Sequence, residues 1–434
     1  MSFWKPKPRQ GSPRDRGRGR VLRFPPRVRQ SSGAPKGKLS TLLHVGPGIV
    51  TGASDLDPSA VITCTVIGAA YHYSLLWVVI FCVPFLLALF SVTGRIGMET
   101  KKGVLDLVRA NYGQHWAVAL TVTMIVINMS VIIADMMAVS DAFSIVLQLP
   151  RSYFVAPIAF TVWYVLIFRD YRKITKALVI FSLPLYIFIA SAVITAPPLR
   201  QLVHEIVFPH LGNKAGAMQG IVALFGSFLT PYIVLWQTSS RSDPEHEPHM
   251  ADSYAATIVA AVLGISIIIA AGSVLHFAGP TDMTTRQAAE ALRPVVGNLG
   301  SILFAIGIIG SGLVALPVLV ASMCYDWAQS MGWKYGLSEK PWEASSFYFL
   351  ISASMFAAAF GNFIHINPIK ALYWSMILAG MLTVPIFLFI LIISNDRRIM
   401  HTTNTKWQNF WVGGATGGCA AATVIYLWME VVKR

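Results

Sequence analysis

Ser54-Asp55-Leu56-Asp57-Pro58-Ser59 stands in the middle of a long apolar run, about residues 41–71. Proline lacks a backbone donor and its ring clashes with the preceding turn, so a helix crossing this point can unwind. Unwound backbone is tolerated at membrane depth only where it lines a cavity or meets a ligand. A second stretch of the same character, Gly226-Ser227-Phe228-Leu229-Thr230-Pro231, interrupts the apolar run at about 215–239. Both set a proline, Pro58 or Pro231, beside small polar residues in mid-run. Broken helices in matching positions of two halves point to a substrate site. The plainer reading is a pair of proline kinks, like those expected at Pro84, Pro157, Pro184, Pro317 and Pro385.

The surrounding runs read as membrane spans. Of 434 residues, 55% are hydrophobic and 12% charged, whereas a soluble domain carries about 25% charged residues. A charge-free run of roughly 18 residues is long enough to span a bilayer as a helix. Eleven spans are expected, at about 41–71, 74–94, 116–147, 153–168, 175–196, 215–239, 253–278, 299–325, 344–363, 369–393 and 408–430. The odd count suggests ten core helices plus one, so an all-α polytopic membrane protein built from two five-helix repeats of opposite orientation. Repeat one covers about 41–196, repeat two about 215–393, and the extra helix about 408–430.

Residues 1–40 are basic and rich in Pro, Gly and Ser. They lack the apolar core of a signal peptide and read as a disordered cytosolic arm, or as a segment that binds anionic lipid headgroups. The net charge of +14 owes much to this arm and implies no nucleic-acid partner. Most of the 34 Lys and Arg fall before the first span or in alternate connections, such as Arg95, Lys101, Lys102 and Arg109. Positive charge collects on the cytoplasmic side, which places the N-terminus inside and the C-terminus outside, in the plasma (inner) membrane. Cys64, Cys82, Cys324 and Cys419 lie inside apolar runs, with no zinc spacing and no expected disulfide.

The spans carry no Lys or Arg away from their ends, but they do carry Asp55, Asp57, Asp135 and Asp141. Buried carboxylates are expensive in a membrane, so each is a functional hypothesis, and an all-acidic set argues for a cation pathway. Asp57 stands at the break, one turn from the carbonyl of Ser54. Carboxylate, carbonyl and hydroxyl oxygens, here from Asp57, Ser54, Ser227 and Thr230, suit hard divalent ions such as Mg²⁺, Ca²⁺ or Mn²⁺. Asp55 reads either as facing a wet vestibule or as a hydrogen-bonded helix end. Asp135 follows Asn128 by one heptad and shares its helix face, as a proton relay or as a buried hydrogen-bonded acid. Asp141 reads as structural, the run Asp243–His249 as a solvated loop, and Gly307, Gly310 and Gly312 as close helix packing. There is no P-loop, nucleophile elbow or zinc-protease motif, and no resident cofactor is expected beyond the ion itself.

These residues resemble a known family. Gly46-Pro47-Gly48 followed by Asp57-Pro58-Ser59-Ala60 is similar to the first-helix signature of the Nramp divalent-metal transporters, whose pattern reads Asp-Pro-Gly-Asn. Thr230-Pro231-Tyr232 falls where that family has Met-Pro-His. The nearest resemblance is to the Nramp-related magnesium transporters, through Ala53-Ser54-Asp55-Leu56-Asp57-Pro58-Ser59, the stretch Ala288–Pro294 and the stretch Gly312–Leu319. The resemblance covers about residues 41–430 and implies a LeuT-type fold and uptake of divalent metal. Within it, Ala60 replaces an amide ligand and Thr230 a thioether. Losing the thioether removes a filter for late transition metals, and the smaller Ala60 leaves room for the waters Mg²⁺ keeps. Ala138 and Tyr232 stand where the family has an acid and a histidine on its proton path, so obligatory proton coupling is not expected. The expectation is a secondary transporter of Mg²⁺ or Mn²⁺, directed inward. The alternatives are a proton-coupled Mn²⁺/Fe²⁺ symporter of the family, an organic-substrate transporter of LeuT type, and a gated channel. An enzyme is not expected.

Overall fold

The computed structural model describes residues 56–168, 180–209, 214–242, 250–275, 283–337, 339–363 and 366–432. The arm 1–40, Gly46–Gly48, Ser54, Asp55 and the loop Asp243–His249 lie outside the described residues. Among the described residues all regular structure is helical. The apolar composition leaves this as the main option, because a helix satisfies its own backbone in lipid.

The first half of the chain contributes α1 (Pro58–Tyr71), α2 (Leu76–Thr100), α3 (Val104–Tyr112), α4 (Gln114–Leu147), α5 (Ser152–Phe168), α6 (Ile187–Thr195) and α7 (Leu199–Val207). The second half contributes α8 (Lys214–Phe228), α9 (Pro231–Ser242), α10 (Met250–Val274), α11 (Gly300–Met331), α12 (Ser345–Gly361), α13 (Pro368–Leu382), α14 (Val384–Asn395) and α15 (Lys406–Val432). Short helical turns between Thr285 and Leu299 lead into α11.

Seven helices among the described residues are long and apolar enough to cross a membrane, or eight if the bent pair Ile180–Thr195 and Leu199–Val207 counts as one span. That is fewer than the eleven expected. Three expected spans correspond to the shorter apolar helices α1, α5 and α12, and the first is described only from Leu56 onward. The sequence reading missed two helices. α3 is a nine-residue helix in a connection between spans. α7 turns 106° away from the preceding helix and leaves Leu199, Val203 and Val207 exposed along one face, the pattern of a helix lying in a membrane interface.

Helix lengths pair across the two halves. α1 and α9, each beginning at a break, have 14 and 12 residues. α2 and α10 have 25 each, α4 and α11 have 34 and 32, and α5 and α12 have 17 each. α4 and α11 run antiparallel: Gln114 Nε2 donates to Ser330 O at 3.0 Å, while a Cβ on Gly312 would lie 2.2 Å from Val139 Cγ2.

The span Ala215–Ser239, formed by α8 and α9, is buried over 83% of its most apolar stretch, whereas α15 is buried over only 22%. The sixth expected span is therefore the centre of the bundle and the last one its periphery. Phe349, Phe356, Trp428 and Val431 stand outward, exposed by 64–76%, as lipid-facing side chains do in an integral membrane protein. Glycine sets the closest approach in the core. A Cβ on Gly226 would fall 1.9 Å from the carbonyl oxygen of Met376, and one on Gly380 would fall 2.2 Å from that of Val222.

Candidate functional site

The two breaks meet in the middle of the bundle. α1 starts at Pro58, where proline is tolerated because the first helical N–H has no partner in any case. Asp57 is its N-cap, with extended backbone at φ −65° and ψ 166°. Oδ1 of Asp57 accepts the backbone N–H of Ala60 at 2.7 Å. Oδ2 accepts the Tyr232 hydroxyl at 3.2 Å. Asp57 is 2% exposed and Tyr232 3%, so this hydrogen bond joins the two breaks out of contact with bulk water.

At the second break, helical structure stops at Phe228 and resumes at Pro231, leaving Leu229 and Thr230 between α8 and α9. Pro231 has no N–H to offer the carbonyl of Ser227 four residues earlier, which frees that oxygen from the helix ladder. Ser227 and Thr230 are buried. The Ser227 hydroxyl donates back to Ala223 O at 2.9 Å, which leaves its oxygen able to accept or coordinate. Both α1 and α9 begin at this point, and a helix N-terminus favours negative charge. That helps hold the Asp57 carboxylate where it stands.

A cavity of about 30 Å³ lies beside the breaks, lined by Leu56, Cys82, Ser227, Phe228, Thr230 and Thr257 among others. Its volume is about a single water's share of the liquid. Cys82, from α2, joins this lining, although in the sequence it is one of four cysteines inside apolar runs with nothing to mark it as a site residue. Ala60 is buried beside the cap, and Gly312 brings α11 against Pro58: a Cβ there would come within 3.1 Å of Pro58 Cγ.

Asp135 is brought to the same region through Ser59, whose hydroxyl donates to Asp135 Oδ1 at 2.5 Å. Asp135 and Asn128 are fully buried. Asp135 Oδ2 and both amide atoms of Asn128 have no hydrogen-bond partner. The structure therefore draws Asp57, Thr230, Ser227, Tyr232, Ala60 and Asp135 together, while Ser54 and Asp55 lie outside the described residues. A further buried acid, Asp326, is 2% exposed. The sequence reading ended the eighth span at 325, one residue short of it. The signal that could have found it is Gly332, left-handed at φ 70°, which ends α11 in the way glycine commonly ends helices.

Comparison with known proteins gives this arrangement a context. The sequence pattern of the family described as natural resistance-associated macrophage protein-like, Nramp, matches residues 48–429. A rice protein called metal transporter NRAT1 (Oryza sativa subsp. japonica) is 26% identical over 62% of this chain. This chain spans about half of that relative's length, 54%. The divalent metal cation transporter MntH of Pectobacterium carotovorum is 22% identical over 67% of this chain and 73% of its own length. Among solved structures, a manganese transporter of Eremococcus coleocola superposes with a TM-score of 0.67 at 17% identity, covering 90% of this chain and 88% of that one. The same transporter bound to an aromatic bis-isothiourea compound gives 0.66 at 16%. At such identity the likeness establishes the fold.

Proposed function

The chain belongs to the Nramp family, and from that premise we propose that it is a secondary transporter of divalent metal cations, bound between the two helix breaks and carried inward. The observation that carries this reading is the buried Asp57 carboxylate at the first break, tied by Tyr232 to the second. Asp57, the Ser227 carbonyl freed by Pro231, and the hydroxyls of Ser227 and Thr230 supply oxygen ligands, with Ser54 completing the set. Asp55 and Tyr232 border the approach, and Asn128 and Asp135 flank it. The relatives are transporters by name.

Within the family, the reading extends to the magnesium-transporting branch. Hard oxygen ligands and the small Ala60 suit an ion that keeps part of its water shell, so Mg²⁺ and Mn²⁺ are carried with weak discrimination. Eleven spans in two inverted repeats plus one helix fit the paired helix lengths, with the N-terminus cytoplasmic and the C-terminus outside. Transport is not obligatorily coupled to protons. A proton-coupled Mn²⁺ symporter is the second reading, and one observation favours it. Asp135 sits one side chain from the α1 break, with Oδ2 unpartnered.

The test is purified protein in liposomes, with Mg²⁺, Mn²⁺ and Ca²⁺ flux measured side by side for wild type and Asp57→Ala. Saturable flux that disappears in the variant, while the protein still purifies as a folded species, is the expected outcome. Undiminished flux in Asp57→Ala would falsify the site.

A further inference from the structure

A second polar surface continues from the site toward one end of the bundle, on α9 and α11. Ser322 Oγ donates to the backbone carbonyl of Tyr232 at 3.2 Å. Seven residues further along both helices, Gln329 Nε2 donates to Ser239 Oγ at 2.8 Å. The two bonds have the same sequence offset, so α9 and α11 run parallel and in register along this face. Ser322, Asp326 and Gln329 recur at helical spacing on one side of α11. At 1.5 Å per residue they extend about 10 Å from the level of Tyr232, and Ser330 adjoins them.

This surface is buried and under-satisfied. Asp326, Gln329 and Ser330 are each at most 2% exposed. Asp326 Oδ2, Gln329 Oε1 and Ser330 Oγ all lack a hydrogen-bond partner. Buried polar atoms are nearly always paired, and each exception calls for an explanation. Here three acceptor oxygens lie within about one helical turn. No Lys or Arg forms an ion pair with Asp326 among the described residues. Backbone also packs directly on this cluster: a Cβ on Gly103 would meet Gln329 Oε1.

We propose that Asp326, Gln329 and Ser330 form a second, weaker stop for the divalent cation, between the central site and the face of the membrane where α11 ends. A carboxylate, an amide carbonyl and a hydroxyl are hard oxygen ligands. One carboxylate among neutral oxygens suits a divalent ion that is commonly held through only one or two carboxylates. A site with a single charge releases its ion readily, as a permeation path requires. Lys334 and Lys340 follow α11 in the chain, so positive charge marks this end as cytoplasmic, and the stop lies on the exit side for uptake. The inference rests on the central-site reading above, because the ion must first arrive from Asp57.

The experiment is Mn²⁺ uptake by the full chain in liposomes, comparing wild type, Asp326→Asn, Asp326→Glu and Asp57→Ala. Asn preserves shape and hydrogen bonding but not charge, whereas Glu preserves charge. Asp326→Asn is expected to lower maximal flux about tenfold without raising the half-saturating Mn²⁺ concentration. Asp326→Glu should keep most of the flux. Wild-type flux in Asp326→Asn, or an equal loss in both Asp326 variants, overturns the proposal, since equal loss means a structural role. Loss in Asp57→Ala alone sinks the second stop and leaves the central site standing. Undiminished flux in Asp57→Ala sinks the central site, and the Asp326 variants are still judged against wild type.

Discussion

At the scale of single residues, Asp57 has two occupations that a substitution must separate. It caps α1 through Ala60 N–H and accepts from Tyr232. Removing an N-cap costs about 1 kcal/mol, and Asn caps about as well as Asp. Asp57→Asn therefore keeps the cap and removes the charge. Its melting temperature in detergent should stay near that of wild type while Mg²⁺ flux is lost. Retained flux would mean that the carboxylate serves only as a cap. The cavity raises a second issue, because Cys82 lines it together with Thr230. Thr230→Met adds a thioether there and should shift competition toward Cd²⁺ over Mg²⁺, since soft ligands select softer metals. Cys82→Ser in that background should take part of the gain away. No change in the Cd²⁺:Mg²⁺ ratio in Thr230→Met would place residue 230 outside the ion's reach. Asp57 and Thr230 were legible in the sequence because each precedes a proline in an apolar run. Cys82 was not, because a cysteine facing a cavity and a cysteine facing packed side chains look alike in an apolar string.

At the scale of elements, the sequence showed where helices stop inside the membrane and not which short helices join them. The break at Leu229–Thr230 follows from Pro231. α3 and α7 carry charged and polar residues, which an apolar-run pattern assigns to connections. α3 is nonetheless anchored. Tyr335 donates to Asp106 Oδ2 at 2.7 Å, and Arg109 approaches Asp106 at 3.9 Å. Burial pushes the Asp106 carboxyl above its ordinary range, opposed by the Tyr335 hydrogen bond and by Arg109. A carboxyl raised in the folded state contributes stability fully below its unfolded pKa and loses it as pH rises through the folded value. As pH rises from the ordinary carboxylate range near about 4 through the raised folded value, wild type should therefore lose thermal stability relative to Asp106→Asn, which cannot titrate. Parallel melting curves for the two proteins across that range would show that the site does not report on folding. Close packing matters as much as capping. Gly226→Ala would drive a methyl group into the Met376 carbonyl, and overpacking of this kind typically costs about 1–3 kcal/mol.

At the scale of the whole molecule, the proposed transport without obligatory proton coupling turns on what else drives the ion. A relay through a bilayer is typically a chain of Asp, Glu or His. Here Ala138 and Tyr232 interrupt it: Ala138 has no titratable group, and the Tyr232 hydroxyl is already given to Asp57. His72, at the far end of α1, has its Nδ1 2.8 Å from Gly272 O. Asp135 remains, joined to Ser59. Its titratable neighbour, beyond Ser59, is Asp57, which the proposal commits to the ion, and Asn128 does not titrate. For the proposed uptake, the membrane potential alone supplies enough driving force. Two charges crossing about 100 mV gain roughly 4.6 kcal/mol, which is over a thousandfold in concentration. The measurement is made in liposomes with a pH-sensitive dye inside, a potassium diffusion potential imposed, and external Mg²⁺ or Mn²⁺ added. Metal entry without lumenal acidification is expected, with flux that rises with the potential. Asp135→Asn should then carry metal at a rate within about threefold of wild type, because it loses a buried carboxyl and not a coupling step. Acidification that follows metal entry and vanishes in Asp135→Asn would make Asp135 a working proton carrier and turn the reading to symport.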